Sequence, residues 1–290
     1  MSGTASLAAL EAFVFRHRRI FVLTGAGCST GSGIPDYRGP DGAWKRASPV
    51  AYQAFMGSEE TRRRYWARSL VGWRRFRGAQ PNAAHRALAR LEAIGRGAHL
   101  LTQNVDRLHQ AAGQRQVIDL HGRLDRVRCM GCGRLSAREA LQEELESLNP
   151  GWSAREAGDA PDGDADLEAA DFSSFTVPPC PDCGGVVKPD VVFFGESVPR
   201  ERVDEAMRRL GEADAMLVVG SSLMVWSGYR FVQRAAEAGT PVAAVNLGHT
   251  RADALLALKV EAPCEEALGF LLARDRLTED EAGTRANSVT

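Results

Sequence analysis

The sequence predicts an α/β fold: one large domain on a parallel sheet, interrupted by a smaller inserted module. Three observations predict it. Four short apolar runs, at 20–23, 99–102, 216–219 and 242–245, each end in glycine or polar residues, and the first three lead into helical stretches. That order is the pattern of a sheet wound on both faces. The first run opens "LTGAGCSTGSGIPDYRG" (23–39), which carries five glycines. Two C-x-x-C pairs, Cys129/Cys132 and Cys180/Cys183, fall in a segment (126–187) that lacks the strand and helix pattern.

Taken in order, residues 8–18 read as a short helix leading into the first strand. Arg16, Arg18 and Arg19 ahead of an apolar run imitate a signal peptide, but four apolar residues are too few, and no stretch approaches a membrane span. A lipoprotein reading of Cys28 fails because Gly25 sits where a Leu is wanted. With a net charge of -1 the chain has no bulk attraction for nucleic acid or an anionic membrane, and a cytoplasmic protein is expected.

The glycine loop fits G-x-G at Gly25 and Gly27, but Thr30 holds the third position and glycine arrives one residue late, at Gly31. A helix is expected to start near Ser29, and backbone N–H groups at such a start can hold a pyrophosphate without a lysine. The plain alternative is a tight turn with no ligand. A P-loop is excluded by the missing G-K-[ST], and a ribose-gripping acid is absent about 20 residues on, which disfavours hydride chemistry.

Residues 62–77 place Trp66, Leu70 and Trp73 at helical spacing between arginines, predicting a helix docked on the main domain. "AHLLTQNVDRLHQ" supplies a second strand, polar cluster and helix. "ADAMLVVGSSL" supplies a third strand, with a helix expected over 229–238, and "PVAAVNLG" a fourth strand that ends at Asn246. Open α/β sheets bind ligands beyond the carboxyl ends of their strands, so these four loops should meet at one crevice.

Four cysteines in two C-x-x-C pairs, in a chain without an export signal, favour a metal over crosslinks. Four thiolates saturate tetrahedral zinc, so one structural zinc ion is expected on Cys129, Cys132, Cys180 and Cys183. A thiol-redox pair is the alternative. Between the pairs, "WSAREAGDAPDGDADLEAADF" has seven acids against one Arg and reads as a long surface loop. The Rossmann-like domain is thus expected in three parts, 1–40, 81–125 and 188–276, with a helical module at 41–80, a zinc-binding module at 126–187 and a disordered tail at 277–290.

"GAGCSTGSGIPDYRG" resembles the sirtuin pattern, GAG-x-S followed by SGIPD-[FY]-R. The resemblance continues through "TQNVDRLH" (102–109), "LHG" (120–122), both cysteine pairs, "KPDVVFFGE" (188–196), "GSSL" (220–223) and "VNLG" (245–248). "RYWARSLVGWRRF" and the insertion from "NPGW" to "APDGD" look like the class II branch, which includes the mitochondrial class II sirtuin of animals.

The resemblance implies an NAD-dependent protein lysine deacylase. Nicotinamide leaves NAD, a consumed co-substrate, and the acyl group of a modified lysine passes to ADP-ribose. By resemblance, Gly25, Ala26, Gly27, Ser29 and Arg38 hold pyrophosphate and ribose, while Pro35, Asp36 and Tyr37 belong to a mobile loop over the nicotinamide end. Gln103, Asn104, Val105 and Asp106 line the inner pocket, with Asn104 positioning a ribose or water and Asp106 accepting from the carboxamide; a polar helix cap is their ordinary reading. Gly220, Ser221, Ser222, Asn246, Leu247, Gly248 and the backbone of Cys264 complete the cofactor set.

His121 is implied as general base, which suits an imidazole titrating near neutrality, although an isolated His is otherwise a structural hydrogen-bonder. Its neighbour Gly122 permits close backbone approach. His85 and His109 are read as structural. Val191, Val192, Phe193 and Gly195 would pair with substrate backbone as an added strand. Tyr65 and Arg68 share one helix face, where in the acidic-acyl class of sirtuins such a pair binds a distal carboxylate; here packing of Tyr65 beside a solvated Arg68 is equally open.

Acyl-lysine proteins or peptides are the expected partners. The remaining readings are protein ADP-ribosylation on the same fold, a non-catalytic zinc ribbon that binds nucleic acid through the arginines of 62–77, and a nicotinamide dehydrogenase.

Overall fold

A computed structural model describes residues 5–39, 41–45, 49–153, 167 and 170–273. Most of the acidic stretch and the tail expected at 277–290 lie outside these residues. Nine strands are described: β1 Ile20–Thr24, β2 Gly97–Thr102, β3 Val117–Asp119, β4 Gly122–Cys129, β5 Leu135–Ala137, β6 Val187–Val191, β7 Ala215–Val219, β8 Val242–Val245 and β9 Leu258–Val260. Six of them form one sheet in the order β3-β2-β1-β7-β8-β9, and every pair in it is parallel.

The chain builds outward from β1 to β3, then returns to the other side of β1 with β7. The strand order therefore reverses between β1 and β7, the place where such sheets leave a crevice for a ligand. Alternation along β1 serves both faces. Ile20 and Val22 join the core formed with helices Leu7–Arg16 and Ala83–Ala93, while Phe21 and Leu23 join the core formed with Arg200–Gly211 and Trp226–Glu237. Strands buried on both faces read as continuous apolar runs, which is why the four central strands show in the sequence. The three-residue edge strands β3 and β9 leave no periodic signal.

Two expectations are corrected. The glycine loop does not enter an α-helix near Ser29; it forms two 3-10 turns, Ala26–Cys28 and Thr30–Ser32, the second ended by left-handed Gly33 (φ 83°). The helix Glu59–Phe76, capped by the Ser58 hydroxyl that accepts from the Thr61 N–H at 3.1 Å, packs on the inserted segment rather than on the main domain. Its Trp66 Nε1 donates to the Val187 carbonyl (3.3 Å) and its Trp73 Nε1 to Glu139 Oε2 (2.9 Å). Together with helix Arg138–Leu148, β4, Phe55, Trp152, Phe175 and Phe193 it forms a third core. Amphipathicity gives a helix its buried face, not its partner.

Three arginines of that helix are engaged locally. Arg62 Nη1 donates to the carbonyls of Phe55 and Met56 (2.9 and 3.0 Å), Arg63 pairs with Glu59, and Arg74 with Glu146 (3.7 Å). Among the described residues, no helix is long and apolar enough to cross a membrane.

Candidate active site

The loops after β1 and β7 lie backbone to backbone, and this is what the glycines permit. The Gly25 N–H donates to the Val219 carbonyl (3.1 Å) and the Gly27 N–H to the Gly220 carbonyl (2.9 Å). A Cβ on Gly220 would stand 2.2 Å from the Cys28 nitrogen, and one on Gly25 would stand 2.8 Å from the Gly220 oxygen. These contacts form the floor of a cavity of about 810 Å³ at the strand reversal.

Its wall gathers the ends of four strands: Gly25, Ala26, Gly27 and Ser29 after β1, Gln103 to Asp106 after β2, Gly220 to Ser222 after β7, and Asn246 and Leu247 after β8. Asp36, Tyr37, Arg38, Tyr65, His121, Val191, Val192, Phe193 and Gly195 also line it. Pro35, Arg68, Gly248 and Cys264 do not face it; Cys264 is buried, with its Sγ 3.6 Å from the Gly27 oxygen.

Polar side chains behind the glycine loop are tied together. Ser29 Oγ donates to Asp106 Oδ2 (2.7 Å) and accepts from Asn104 Nδ2 (3.0 Å), which also donates to the Gly25 carbonyl (3.1 Å). The other Asp106 oxygen accepts from the Leu108 N–H at 2.9 Å, at the start of helix Leu108–Ala111. Asp106 therefore holds the backbone that enters this helix as well as lining the cavity. Burial raises its pKa above the usual carboxylate value.

His121 stands two residues past β3. Gly122 beside it has φ 86°, and a Cβ there would meet the Asp190 carbonyl at 2.1 Å, so only glycine lets β4 lie this close to β6. The His121 carbonyl accepts from the Val192 N–H (2.8 Å), coupling it to the extended segment opposite. The imidazole Nδ1 lies 3.0 Å from the Gln103 carbonyl, which can only accept, so Nδ1 carries the proton. Nε2 then presents its lone pair, 2.8 Å from Ser227 Oγ. Burial pushes the His121 pKa down to about 4, which keeps the imidazole neutral at physiological pH.

Ser227 was not singled out by sequence reasoning, because nothing marks one serine after "GSSL" over another. In the sequence Lys188 and Glu196 are only the ends of "KPDVVFFGE". They form a pair at 3.0 Å, with Lys188 3 % exposed, and Glu196 Oε2 accepts from the Phe193 N–H (2.8 Å), so the pair fixes the segment that carries Val192 and Phe193. At the rim, Trp44 packs edge-on against both Tyr37 and Phe194, and the Arg38 guanidinium lies 3.9 Å from its ring centre.

Tyr65 sits in an aromatic box, edge-on to Phe55 and tilted against Phe193 at 5.3 Å from each. The four cysteines of the C-x-x-C pairs converge, all four sulfurs lying within 4.8 Å of one another. Cys129 and Cys183 are 3.5 Å apart, and Cys132 and Cys180 3.8 Å. Tetrahedral zinc with bonds of about 2.3 Å sets its sulfurs about 3.8 Å apart, so the donor set fits that ion. A Cβ on Gly185 would come within 3.1 Å of two of the sulfurs. Backbone N–H groups of Cys132 and Gly131 lower the Cys129 pKa to about 6, favouring the thiolate a metal requires.

Residues 25–227 match the Sir2 family. The chain is similar to NAD-dependent protein deacetylase 2 of Bradyrhizobium diazoefficiens, 69% identical over 263 residues that cover 91% of this chain and 96% of the relative. It is 66% identical over 268 residues to an NAD-dependent protein deacetylase of Xanthomonas axonopodis pv. citri, covering 92% of each. Among solved structures it resembles Sir2 with a p53 peptide and NAD+, with a TM-score of 0.74 and 30% identity over 94% of this chain and 100% of the other. A structure of Sir2 bound to acetylated peptide aligns at TM-score 0.72 and 29% identity, covering 93% of this chain and 99% of that one. With the family match spanning most of the chain and relatives this similar along nearly its whole length, the chain belongs to the Sir2 family.

Proposed function

We infer that the chain is an NAD-dependent protein lysine deacetylase, passing the acyl group of a modified lysine to ADP-ribose as nicotinamide leaves. The observation that carries this reading is the single cavity joining the glycine loop to His121, whose unprotonated Nε2 is 2.8 Å from Ser227 Oγ on the same wall. The ligands of a similar protein agree: one Sir2 structure holds a deacetylated p53 peptide and 3'-O-acetyl ADP-ribose.

The difficulty of the reaction is that an amide oxygen is a feeble nucleophile. The site must stabilise positive charge developing on the ribose rather than activate the attacker. Gly25, Ala26, Gly27, Ser29 and Arg38 would hold the pyrophosphate and ribose, Asn104 and Asp106 the nicotinamide end, and Ser221, Ser222 and Asn246 the adenosine side. His121 Nε2 would then take a ribose hydroxyl proton, leaving its oxygen free to attack the alkylated amide carbon. Val192 and Phe193 would pair with the peptide, and zinc on the four cysteines would hold the inserted module against β4 without touching substrate.

This assignment predicts the pH profile. A His121 pKa near 4 leaves the base unprotonated at any higher pH, so kcat/KM should show no His121 inflection between about pH 7.5 and 5.5. A fall centred near the ordinary histidine value of about 6.5 would contradict it.

The class II resemblance left the acyl group open between acidic and apolar chains. Tyr65 lies on the cavity wall among Phe55 and Phe193 and Arg68 does not, so we propose that apolar acyl groups are preferred. Arg68→Ala should leave the ratio of succinyl- to acetyl-lysine turnover unchanged. A selective loss of succinyl turnover by about 10- to 100-fold, the worth of one charge-assisted hydrogen bond, would return Arg68 to a carboxylate-binding role.

A further inference from the structure

Behind the cavity floor lies a second group of metal-ligating side chains that the deacetylase reading does not use. Cys28, His85 and His109 come from the glycine loop and from helices Ala83–Ala93 and Leu108–Ala111. All three are buried, and each offers a donor atom within 4.8 Å of the other two.

The hydrogen bonds decide which nitrogens are free. Thr24 Oγ1 donates to Thr102 Oγ1 (2.9 Å), so toward His109 Nε2, also at 2.9 Å, it can only accept. Nε2 of His109 therefore carries the proton and Nδ1 bears a lone pair, and that buried Nδ1 has no hydrogen-bond partner. His85 is held by Asn82, whose Oδ1 lies 2.9 Å from its Nδ1 and whose backbone N–H donates to the same nitrogen (3.3 Å), while its Nε2 has only Ser29 Oγ, at 3.4 Å. His109 thus gives its N–H to a fixed oxygen and turns an unpartnered lone pair inward, the arrangement that outer partners impose on metal-bound histidine. A buried lone pair left without a donor beside a second imidazole and a thiol is costly unless a cation joins them.

We propose that Cys28, His85 and His109 form a second metal site, for a thiophilic d10 cation of the Zn2+ type, separate from the four-cysteine cluster. One thiolate and two neutral imidazoles are the ligand chemistry of zinc and of Cu(I). Burial raises the Cys28 pKa and lowers those of His85, to about 4, and His109. Both histidines are therefore unprotonated and ready to ligate, while the cation must displace the thiol proton. The way in is from the cavity, where Ser29 forms the wall and stands between the cluster and Asp106.

The test is metal stoichiometry on the full chain. After equilibration with Zn2+ and removal of loosely held ion, the wild type should retain one equivalent more than Cys28→Ser, whose isosteric side chain keeps the packing. Affinity at this site should fall by more than about 100-fold, beyond the loss that removing even an outer-sphere partner causes. With Co2+, the difference between the two proteins should include a thiolate-to-metal charge-transfer band. Equal zinc content in the two proteins, or a second equivalent that survives Cys28→Ser, would overturn the proposal.

Discussion

Replacing His121 with Ala is expected to lower kcat/KM for an acetyl-lysine peptide by about 10²- to 10⁴-fold, the usual contribution of a positioned general base. That is about 3–5 kcal/mol of transition-state stabilisation. The basis is local: Nδ1–H is held by the Gln103 carbonyl, so Nε2 is the basic nitrogen of a residue that lines the cavity. In the proposed mechanism nicotinamide departs before the hydroxyl proton is needed, so exchange of labelled nicotinamide into NAD should persist in the variant while product formation fails. Steady-state turnover and exchange, measured side by side, check both statements. Wild-type turnover by His121→Ala would remove the residue from the mechanism.

Replacing Cys129 with Ser is expected to cost more than about 5 kcal/mol of stability, because a structural zinc site contributes folding energy outright. Cys129 ends β4, the central strand of the β5-β4-β6 sheet, and that sheet begins at Gly122 beside His121. Loss of the ion should therefore reach the cavity through the paired backbones of Gly122 and Val191. Denaturant unfolding, with zinc content measured on the same sample, provides the check. A zinc-free Cys129→Ser protein with wild-type stability and activity would show that the cluster does not hold the module together.

The parts of this architecture visible in the sequence are those whose signal is local. The central strands are continuous apolar runs because both faces are buried, and the glycine loop shows because Gly25, Gly27 and Gly220 must let two backbones meet. Meeting of the four strand ends follows from topology alone. By contrast, the partner of Glu59–Phe76 depends on tertiary packing, which a helical face does not encode. Ser227 beside His121, the Lys188–Glu196 pair and the approach of Cys28, His85 and the unpartnered His109 Nδ1 are juxtapositions across long stretches of chain. Only the fold brings them together.

In the proposed reaction an acyl oxygen displaces nicotinamide within one cavity, and product analysis tests this most directly. Mass spectrometry of a reaction holding NAD and an acetyl-lysine peptide should find nicotinamide, acetyl-ADP-ribose and free lysine peptide formed in equal amounts. Deacetylation without NAD, reduced nicotinamide cofactor as the product, or ADP-ribose attached to protein with the acetyl group still on lysine would contradict it.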